Sequence, residues 1–138
     1  MKTYQPKKND VTREWHLIDV KGKVLGRVAS EISIKLIGKH KVNYSRHMDS
    51  GDYVVAINAG EIKVTGKKED QKVYRSHSGY PAGFKEVKYS KLLSENPNRI
   101  LELAVKGMIP DNRLKDKRLS RLKIFTGDKH PYEDKVKK

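Results

Sequence analysis

Two kinds of apolar pattern follow one another in the first half of the chain, and they constrain the fold more than any other feature. Residues 15–20 (Trp-His-Leu-Ile-Asp-Val) are short and rich in aromatic and aliphatic side chains, which predicts a buried strand. In residues 25–36 the apolar side chains recur at helical spacing, and Gly38 follows where a left-handed helix end is expected. Residues 53–58 are apolar without alternation, as in a parallel strand covered on both faces. The sequence therefore predicts a strand–helix–strand unit.

The rest of the chain predicts shorter elements. A helix break is expected at Asn96, because the residue before a proline is disfavoured in the helical region. In chain order the pattern predicts a short edge strand over 61–65, two arms of an extended loop or hairpin over 73–77 and 84–89, helices over 89–96 and 98–107, a short basic helix over 113–121 and a final strand over 122–125.

Length and composition favour one intracellular domain. The 138 residues show no composition break, so we expect a single domain over 1–138, with a polar segment at about 1–13 and a charged, mobile tail at about 129–138. The chain has no cysteine, which excludes disulfides, thiolate zinc sites and a cysteine nucleophile. The polar N-terminus predicts no secretory signal, and the longest aliphatic run, 54–57, is too short to span a bilayer. We therefore expect a cytoplasmic protein.

The net charge points to a polyanionic partner. The chain carries 31 Lys plus Arg against 17 Asp plus Glu, a net charge of +14. The excess lies in residues 21–49 (net +5) and 96–138 (net +6), whereas residues 50–66 have a net charge of −1. No predicted helix combines a basic face with exposed Trp, Phe or Leu, so a nucleic acid is favoured over a membrane surface.

Several sequence blocks together have a family pattern. They are Trp15-His-Leu-Ile-Asp19, Gly22-Lys-Val-Leu-Gly-Arg-Val-Ala-Ser30, Gly38-Lys-His-Lys41, His47-Met-Asp-Ser-Gly-Asp-Tyr-Val-Val55, Asn58-Ala59, Thr65-Gly-Lys-Lys68, Ala104-Val-Lys-Gly-Met-Ile-Pro110 and Gly127-Asp-Lys-His-Pro131. The blocks occur in the order of the family and cover nearly the whole chain. The chain therefore resembles the bacterial-type family of large-subunit ribosomal protein number thirteen.

This resemblance implies a three-layer α/β/α fold around a mostly parallel four-stranded sheet, with an extended basic loop or hairpin. It also implies a structural role in the large ribosomal subunit, in which the protein binds ribosomal RNA and helps to organise it early in assembly. The implied partners are large-subunit ribosomal RNA and neighbouring ribosomal proteins, with the protein a monomer within the ribosome. No cofactor, metal, membrane or small-molecule substrate is implied, and no enzyme activity.

Two segments depart from the family pattern. After Pro110 the family has Leu-Gly-Arg where this chain has Leu114 followed by Lys115 and Asp116. The residues after Pro131 also lack the glutamine- and proline-containing tail of the family. RNA contacts are therefore not carried over from the family to Asp116 or to the residues after Pro131.

Residues 39–47 are the strongest candidate for RNA contact. They follow the first helix and combine cations, which neutralise phosphates, with Tyr44, which can stack on an unpaired base. We expect Lys39, His40 and Lys41 to project beyond the packed layer and to serve binding more than folding. The alternative is a solvated loop whose cations only complement the helix dipole.

Two further segments have alternative interpretations. Gly22 and Gly26 flank the start of the first helix, where free N–H groups with Lys23 and Arg27 can hold a phosphate, although the two glycines equally fit a turn and a packing position. The basic helix over 113–121 is either solvated or turned toward RNA, and its charge favours RNA.

The complete set of candidate RNA-binding residues comprises basic and aromatic side chains from the first helix, the loop after it, the predicted hairpin region and the basic helix. They are Lys23, Arg27, Lys39, His40, Lys41, Tyr44, Arg46, His47, Lys67, Lys68, Lys72, Tyr74, Arg75, His77, Tyr80, Arg113, Lys115, Lys117, Arg118 and Arg121.

Other kinds of site have weaker support. His47, Asp49 and Asp52 have the spacing of metal ligands, but residues 49–52 also fit an ordinary turn in which carboxylates accept from backbone N–H groups, and the turn is favoured. Thr65-Gly-Lys-Lys68 matches only half of a phosphate-binding loop, and no nucleophile elbow or zinc-protease motif is present.

Three functions remain in competition: a ribosomal structural protein, a free RNA-binding translational regulator, and a small nucleotide-using enzyme. The resemblance over nearly the full chain favours the first over the third, since a fold alone does not define an activity. The first and second differ in whether the protein resides in the ribosome.

Overall fold

The computed structural model describes residues 4–136. The outermost parts of the expected N-terminal segment and C-terminal tail, 1–3 and 137–138, lie outside these residues. Within the described range the strands and α-helices are, in order, β1 (Trp15–Asp19), α1 (Leu25–Ile37), β2 (Tyr53–Ile57), α2 (Lys68–Gln71), β3 (Val73–His77), β4 (Phe84–Lys88), α3 (Tyr89–Glu95), α4 (Pro97–Met108), α5 (Lys115–Ser120), β5 (Leu122–Ile124) and α6 (Glu133–Val136).

The main sheet has three parallel strands in the order β1–β2–β5. Trp15 lies opposite Tyr53, and Val54 lies opposite Leu122. The predicted strand–helix–strand unit is therefore confirmed as β1–α1–β2, and the predicted final strand is confirmed as β5.

The expected fourth strand is not found among the described residues. Asn58 has a left-handed backbone conformation (φ 60°), which turns the chain out of β2 into a single 3-10 turn at Ala59–Glu61. The predicted edge strand over 61–65 is reduced to one parallel bridge, between Val24 and Lys63. The expectation of a four-stranded sheet is therefore not confirmed, and the main sheet of the described residues has three strands.

The main core lies on one face of the sheet, under two helices. Ile18, Val54 and Ala56 point to this face because they alternate with their neighbours along the strands. Helix α1 buries its predicted apolar stripe against them and against α4. Gly38 ends α1 with a φ of 87°, which confirms the predicted left-handed helix end.

The opposite face of the sheet is covered differently from the expected second helical layer. The Trp15 ring stacks on that of Tyr53, with ring centroids 4.3 Å apart, and Tyr132 stacks on the other side of this pair at 5.2 Å from Trp15. Within the described range, the part of the expected tail up to residue 136 packs against β1 through Tyr132, and its only helix is the single turn α6. The fold is a mixed α/β structure whose longer helices share one face.

A second sheet stands apart from the first. β3 and β4 form an antiparallel pair, which confirms the predicted hairpin, and most of their side chains are exposed. Val73, Tyr74 and Val87 are partly buried, and Tyr74 packs against the main core. The helix break predicted at Asn96 is also confirmed, because Asn96 separates α3 from α4 and caps α4 through its side chain.

Two isoleucines on α1 test the orientation of this helix. Ile32 has no exposed surface, whereas 45% of Ile34 is exposed. We expect Ile32→Ala to lower the free energy of unfolding by about 2–5 kcal/mol, because it removes buried methyl groups and leaves a cavity. Ile34→Ala is the matched control and should change it by less than about 0.5 kcal/mol. Urea denaturation of the two variants measures the difference, and equal losses would contradict this orientation of α1.

Candidate nucleic-acid interface

The loop after α1 is anchored by one buried carboxylate. Asp52 has no exposed surface and precedes β2. Its Oδ1 accepts hydrogen bonds from the Lys41 ammonium and from the Glu14 N–H, the latter at 3.0 Å. Its Oδ2 lies 2.9 Å from Nε2 of His16 and 2.9 Å from Nε2 of His40. One carboxylate therefore joins the segment before β1, the strand β1 and the loop.

Lys41 is consequently committed to the fold. Besides Asp52, its ammonium donates to the carbonyl oxygens of Thr12 (2.5 Å) and Ser50 (3.0 Å). The expectation that Lys41 projects beyond the packed layer was wrong, because its ammonium turns back onto Asp52. His40 is exposed as expected, but its ring also contacts Asp52. Local sequence could not show this, since the carboxylate that holds them comes from another part of the chain.

A second carboxylate, Asp49, holds the basic helix against the loop. Arg121 donates to both of its oxygens, at 2.5 and 2.6 Å, and also donates to the Leu36 carbonyl at 3.1 Å. Arg118 lies farther away, with its Nε 3.8 Å from an Asp49 oxygen. Only 1% of Arg118 and 5% of Arg121 is exposed. These two predicted RNA-binding arginines are therefore buried against Asp49 and not exposed on the surface of the folded protein.

Both carboxylates stay ionised in this environment. Burial by itself raises the pKa of Asp49, but hydrogen bonds and charge from Arg121, with further charge from Arg13 and Arg118, outweigh it and lower the pKa below its usual value. The pKa of Asp52 is also lowered on balance, because hydrogen bonds from Lys41, Glu14 and His16 outweigh burial.

Gly51 lets the loop pack directly on the end of α1. A Cβ at this position would lie 1.7 Å from the Leu36 carbonyl oxygen, so only glycine fits without movement of the backbone. The backbone of Ser50 also lies 3.0 Å from the position of a Cβ at Gly38. The turn over 49–52 is thus a tightly packed structural feature, as favoured from the sequence, although Asp49 accepts from arginines and not from backbone N–H groups.

The remaining candidates divide by exposure. Lys115 is half-buried and pairs with Asp111, while Tyr44, Lys72 and Tyr74 are half-buried as well. The exposed candidates are Lys23, Arg27, Lys39, His40, Arg46, His47, Lys67, Lys68, Arg75, His77, Tyr80, Arg113 and Lys117.

Two surface grooves collect many of these side chains. The first, which we call the loop groove, lies near the C-terminal end of α1 and is lined by Lys8, Arg13, His47 and Lys117, with Asp49 as its acidic residue. Lys8 and Arg13 were missed by sequence reasoning. Their signal was the basic character of residues 7–13, which was interpreted only as a polar segment.

The second, which we call the hairpin groove, lies near the N-terminal end of α1. Leu25 forms part of its floor, and Lys72, Tyr74, Arg75 and Arg99 line it. The predicted phosphate site at the start of α1 is only partly open, because the Leu25 N–H donates to the Lys63 carbonyl at 2.8 Å.

The possible metal ligands that lie close together in the structure differ from those suggested by spacing in the sequence. His47 bonds to Ser45 and Asp49 pairs with Arg121, so His47, Asp49 and Asp52 do not form a common site. In residues 4–136 the group that does converge is His16, His40 and Asp52. Sequence spacing missed His16, which lies close to Asp52 because β1 and β2 are parallel and in register.

No helix within residues 4–136 is long and apolar enough to cross a membrane.

The fold and the site together define a small, strongly basic α/β protein with a cationic surface and an ion-paired loop. The sequence profile of the family described as Ribosomal protein L13 matches residues 13–131. The chain therefore belongs to the ribosomal protein L13 family, which confirms the resemblance recognised in the sequence.

Similar proteins cover nearly all of the chain. One described as large ribosomal subunit protein uL13, from Chloroflexus aggregans, is 50% identical over 132 residues, which span 96% of this chain and 92% of the relative. Proteins of the same description from Syntrophus aciditrophicus and Streptomyces griseus are 51% and 49% identical, each over 96% of this chain and over 94% and 90% of their own lengths. Membership of a ribosomal protein family confirms the expectation that the chain is not an enzyme.

Substitutions at Lys39 and Lys41 distinguish an exposed cation of the loop from one that stabilises the fold. We expect Lys41→Ala to lower the free energy of unfolding by about 3 kcal/mol, because it leaves the buried Asp52 carboxylate without its ammonium partner. Lys39→Ala, at an exposed position two residues away, should change it by less than about 0.5 kcal/mol. Urea denaturation measures both, and a stable Lys41→Ala protein would show that the Asp52 pair does not anchor the loop.

Asp49 should make stability depend on pH in the acid range. Its pKa is lowered in the folded state, so its contribution to stability is present above the pKa of the unfolded chain, about 3.9, and is lost as the pH falls through the folded value. The unfolding free energy should therefore fall as the pH is lowered from about 5 to 3. Asp49→Asn should reduce this slope, whereas Asp116→Asn, at an exposed position on α5, should not. Denaturant titrations across this range compare the slopes, and an unchanged slope in Asp49→Asn would argue against the effect.

Proposed function

We propose that the protein is a structural component of the large ribosomal subunit that binds its ribosomal RNA and helps to organise that RNA during assembly. The observation that carries this proposal is the arrangement of cations in two grooves at opposite ends of α1, on a fold in which Lys41 and Arg121 are instead paired internally with Asp52 and Asp49. The relatives are described as large ribosomal subunit proteins, which supports the same role and location for this chain. Its partners would then be ribosomal RNA and neighbouring ribosomal proteins.

The loop groove has the composition of a phosphate-binding surface. Three segments converge on this surface: the segment before β1 supplies Lys8 and Arg13, the loop supplies His47, and α5 supplies Lys117. Asp49 adds the only carboxylate in the lining, and its charge is already matched by Arg121. Arg13 donates to the carbonyl oxygens of Gly51 (2.6 Å) and Asp49 (3.0 Å). Lys8, His47 and Lys117 are exposed at the groove and can contact backbone phosphates, which supply most of the affinity in nucleic-acid binding. Lys39 and Arg46 are exposed on the same loop and extend this surface.

The hairpin offers a different kind of contact. Two aromatic side chains near its turn are largely exposed, Tyr80 at 76% and Phe84 at 58%. Exposed aromatic rings are suited to stacking on unpaired bases, while Arg75 on the same hairpin is paired with Glu86 at 2.9 Å. Phe84 was not among the residues singled out from the sequence.

The separation of the two grooves indicates how the protein organises RNA. Helix α1 has 13 residues and a length of about 20 Å, and one groove lies near each of its ends. A single rigid element therefore holds two contact surfaces at a fixed distance. We infer that the protein fixes two RNA segments relative to one another. We also infer that the chain acts as one domain, since β1, α1, β2, α4 and β5 all contribute to the same core.

RNA titration at several salt concentrations tests this assignment. If the protein neutralises on the order of six phosphates, the slope of log affinity against log salt should be roughly −4 to −5. The double variant Lys39→Ala, Arg46→Ala should flatten the slope by about 1.5 and weaken binding to large-subunit ribosomal RNA, with little change in melting temperature.

The matched control removes the same charge elsewhere. The double variant Lys91→Ala, Lys129→Ala alters two exposed residues outside both grooves and should retain a slope close to that of the parent. If the two double variants change the slope and the affinity equally, the loss of net charge alone explains the effect. That outcome would refute the assigned surface. Co-sedimentation with the large subunit in a sucrose gradient separates ribosomal residence from a free translational regulator.

A further inference from the structure

We propose that His16, His40 and Asp52 form a binding site for a divalent transition-metal ion, with Zn²⁺ the best fit among the common ions. Nε2 of each histidine and a carboxylate oxygen of Asp52 all lie within 4.8 Å of one another. Two imidazoles and one carboxylate are a donor set that zinc uses in proteins. The proposal does not depend on RNA binding.

The distances require little movement to accept the ion. Each Nε2 is 2.9 Å from Oδ2 of Asp52. In a tetrahedral zinc site with metal–donor bonds of about 2.0–2.1 Å, neighbouring donors lie about 3.3 Å apart. Conversion into a coordination site therefore requires each nitrogen–oxygen contact to open by a few tenths of an ångström. It also requires the two ring nitrogens, which lie within 4.8 Å of each other, to reach a similar spacing.

Asp52 is already oriented for this role. Its Oδ1 is held by Lys41 and by the Glu14 N–H, whereas its Oδ2 contacts only the two imidazoles. The partners of Oδ1 act as outer hydrogen bonds that fix a ligating carboxylate, and they need not be displaced when the metal binds to Oδ2. The Lys41 ammonium repels a dication, so we expect weaker binding than at a purpose-built structural zinc site.

Metal binding requires a proton to move or to leave each imidazole, and it involves no redox step. A neutral imidazole that donates through Nε2 must transfer that proton to Nδ1 through solvent, and its Nε2 lone pair then binds the metal. A protonated imidazole must release one proton to solvent. Both histidine side chains are partly exposed, so solvent reaches the site and a water molecule can complete the tetrahedron.

The ion would tie together three segments that already meet at Asp52. His16 lies on β1, His40 lies in the loop after α1, and Asp52 directly precedes β2. Coordination would replace two hydrogen bonds by bonds to one ion, and an ion that binds only the folded state stabilises it. Zn²⁺ should therefore raise the melting temperature in proportion to its binding at this site.

The decisive experiment is a titration of the full, untagged chain with Co²⁺ and then Zn²⁺ at pH 7.5, followed by visible absorption and by calorimetry. We expect one Co²⁺ per chain with the intense visible bands of tetrahedral coordination, and stoichiometric displacement by Zn²⁺. His16→Ala should weaken binding at least about tenfold. His47→Ala, which removes an exposed histidine outside the cluster, is the matched control and should bind as the parent does.

A measurement on the unmodified chain guards against variants that fail to fold. On addition of Zn²⁺, the ¹⁵N resonances of Nε2 in His16 and His40 should shift, while those in His47, His77 and His130 should not. The proposal is overturned if the parent takes up no metal, if His16→Ala binds as tightly as the parent, or if the shifts fall on the other histidines.

Discussion

The buried carboxylate of Asp52 is the interaction on which the arrangement of the loop and the strands depends. It receives an ammonium from the loop, a backbone N–H from the segment before β1, and two imidazoles from β1 and the loop. A carboxylate without exposed surface is costly unless its charge is matched and its oxygens accept hydrogen bonds, and here both conditions are met by groups from three segments. Each segment is therefore positioned by the same charge, and the loss of one partner would leave the others without their common acceptor.

Asp49 repeats this arrangement a few residues away and extends it to the basic helix. Its two oxygens bind the fork of Arg121, which in turn reaches the last turn of α1 through the Leu36 carbonyl. Together the two carboxylates pair with cations that the fold brings inside a chain of net charge +14. Cations that would otherwise repel one another inside the fold are matched by Asp49 and Asp52, and most of the others are exposed. The cations paired with Asp49 and Asp52 stabilise the fold, whereas the exposed cations give the surface its positive charge.

Sequence reasoning identified the parts of this protein that depend on local pattern. The strand–helix–strand unit, the left-handed end at Gly38, the hairpin and the break at Asn96 all follow from residues close together in the chain. The roles of Lys41, Arg118 and Arg121 could not be found in that way. A buried Arg121 and a surface-exposed Arg113 have the same local signal, and they are distinguished by a carboxylate 72 residues from Arg121. The fourth strand was lost for a related reason, since alternation over 61–65 competes with a left-handed turn at Asn58 that leads the chain away from β2.

The same pairing determines how the exposed cations can act. Lys39 and Arg46 lie on a loop whose backbone is held at His40, Lys41, Asp49 and Asp52, so most of the conformational entropy of that loop is lost on folding and not on binding. A cation presented by such a loop loses mainly the rotamer freedom of its own side chain when it contacts a phosphate. A disordered basic segment of equal charge would also have to order its backbone, at a cost of about 1–2 kcal/mol for each residue fixed. In the proposed interface, the buried carboxylates therefore support RNA binding without contacting RNA, because they position Lys39 and Arg46 before the RNA binds.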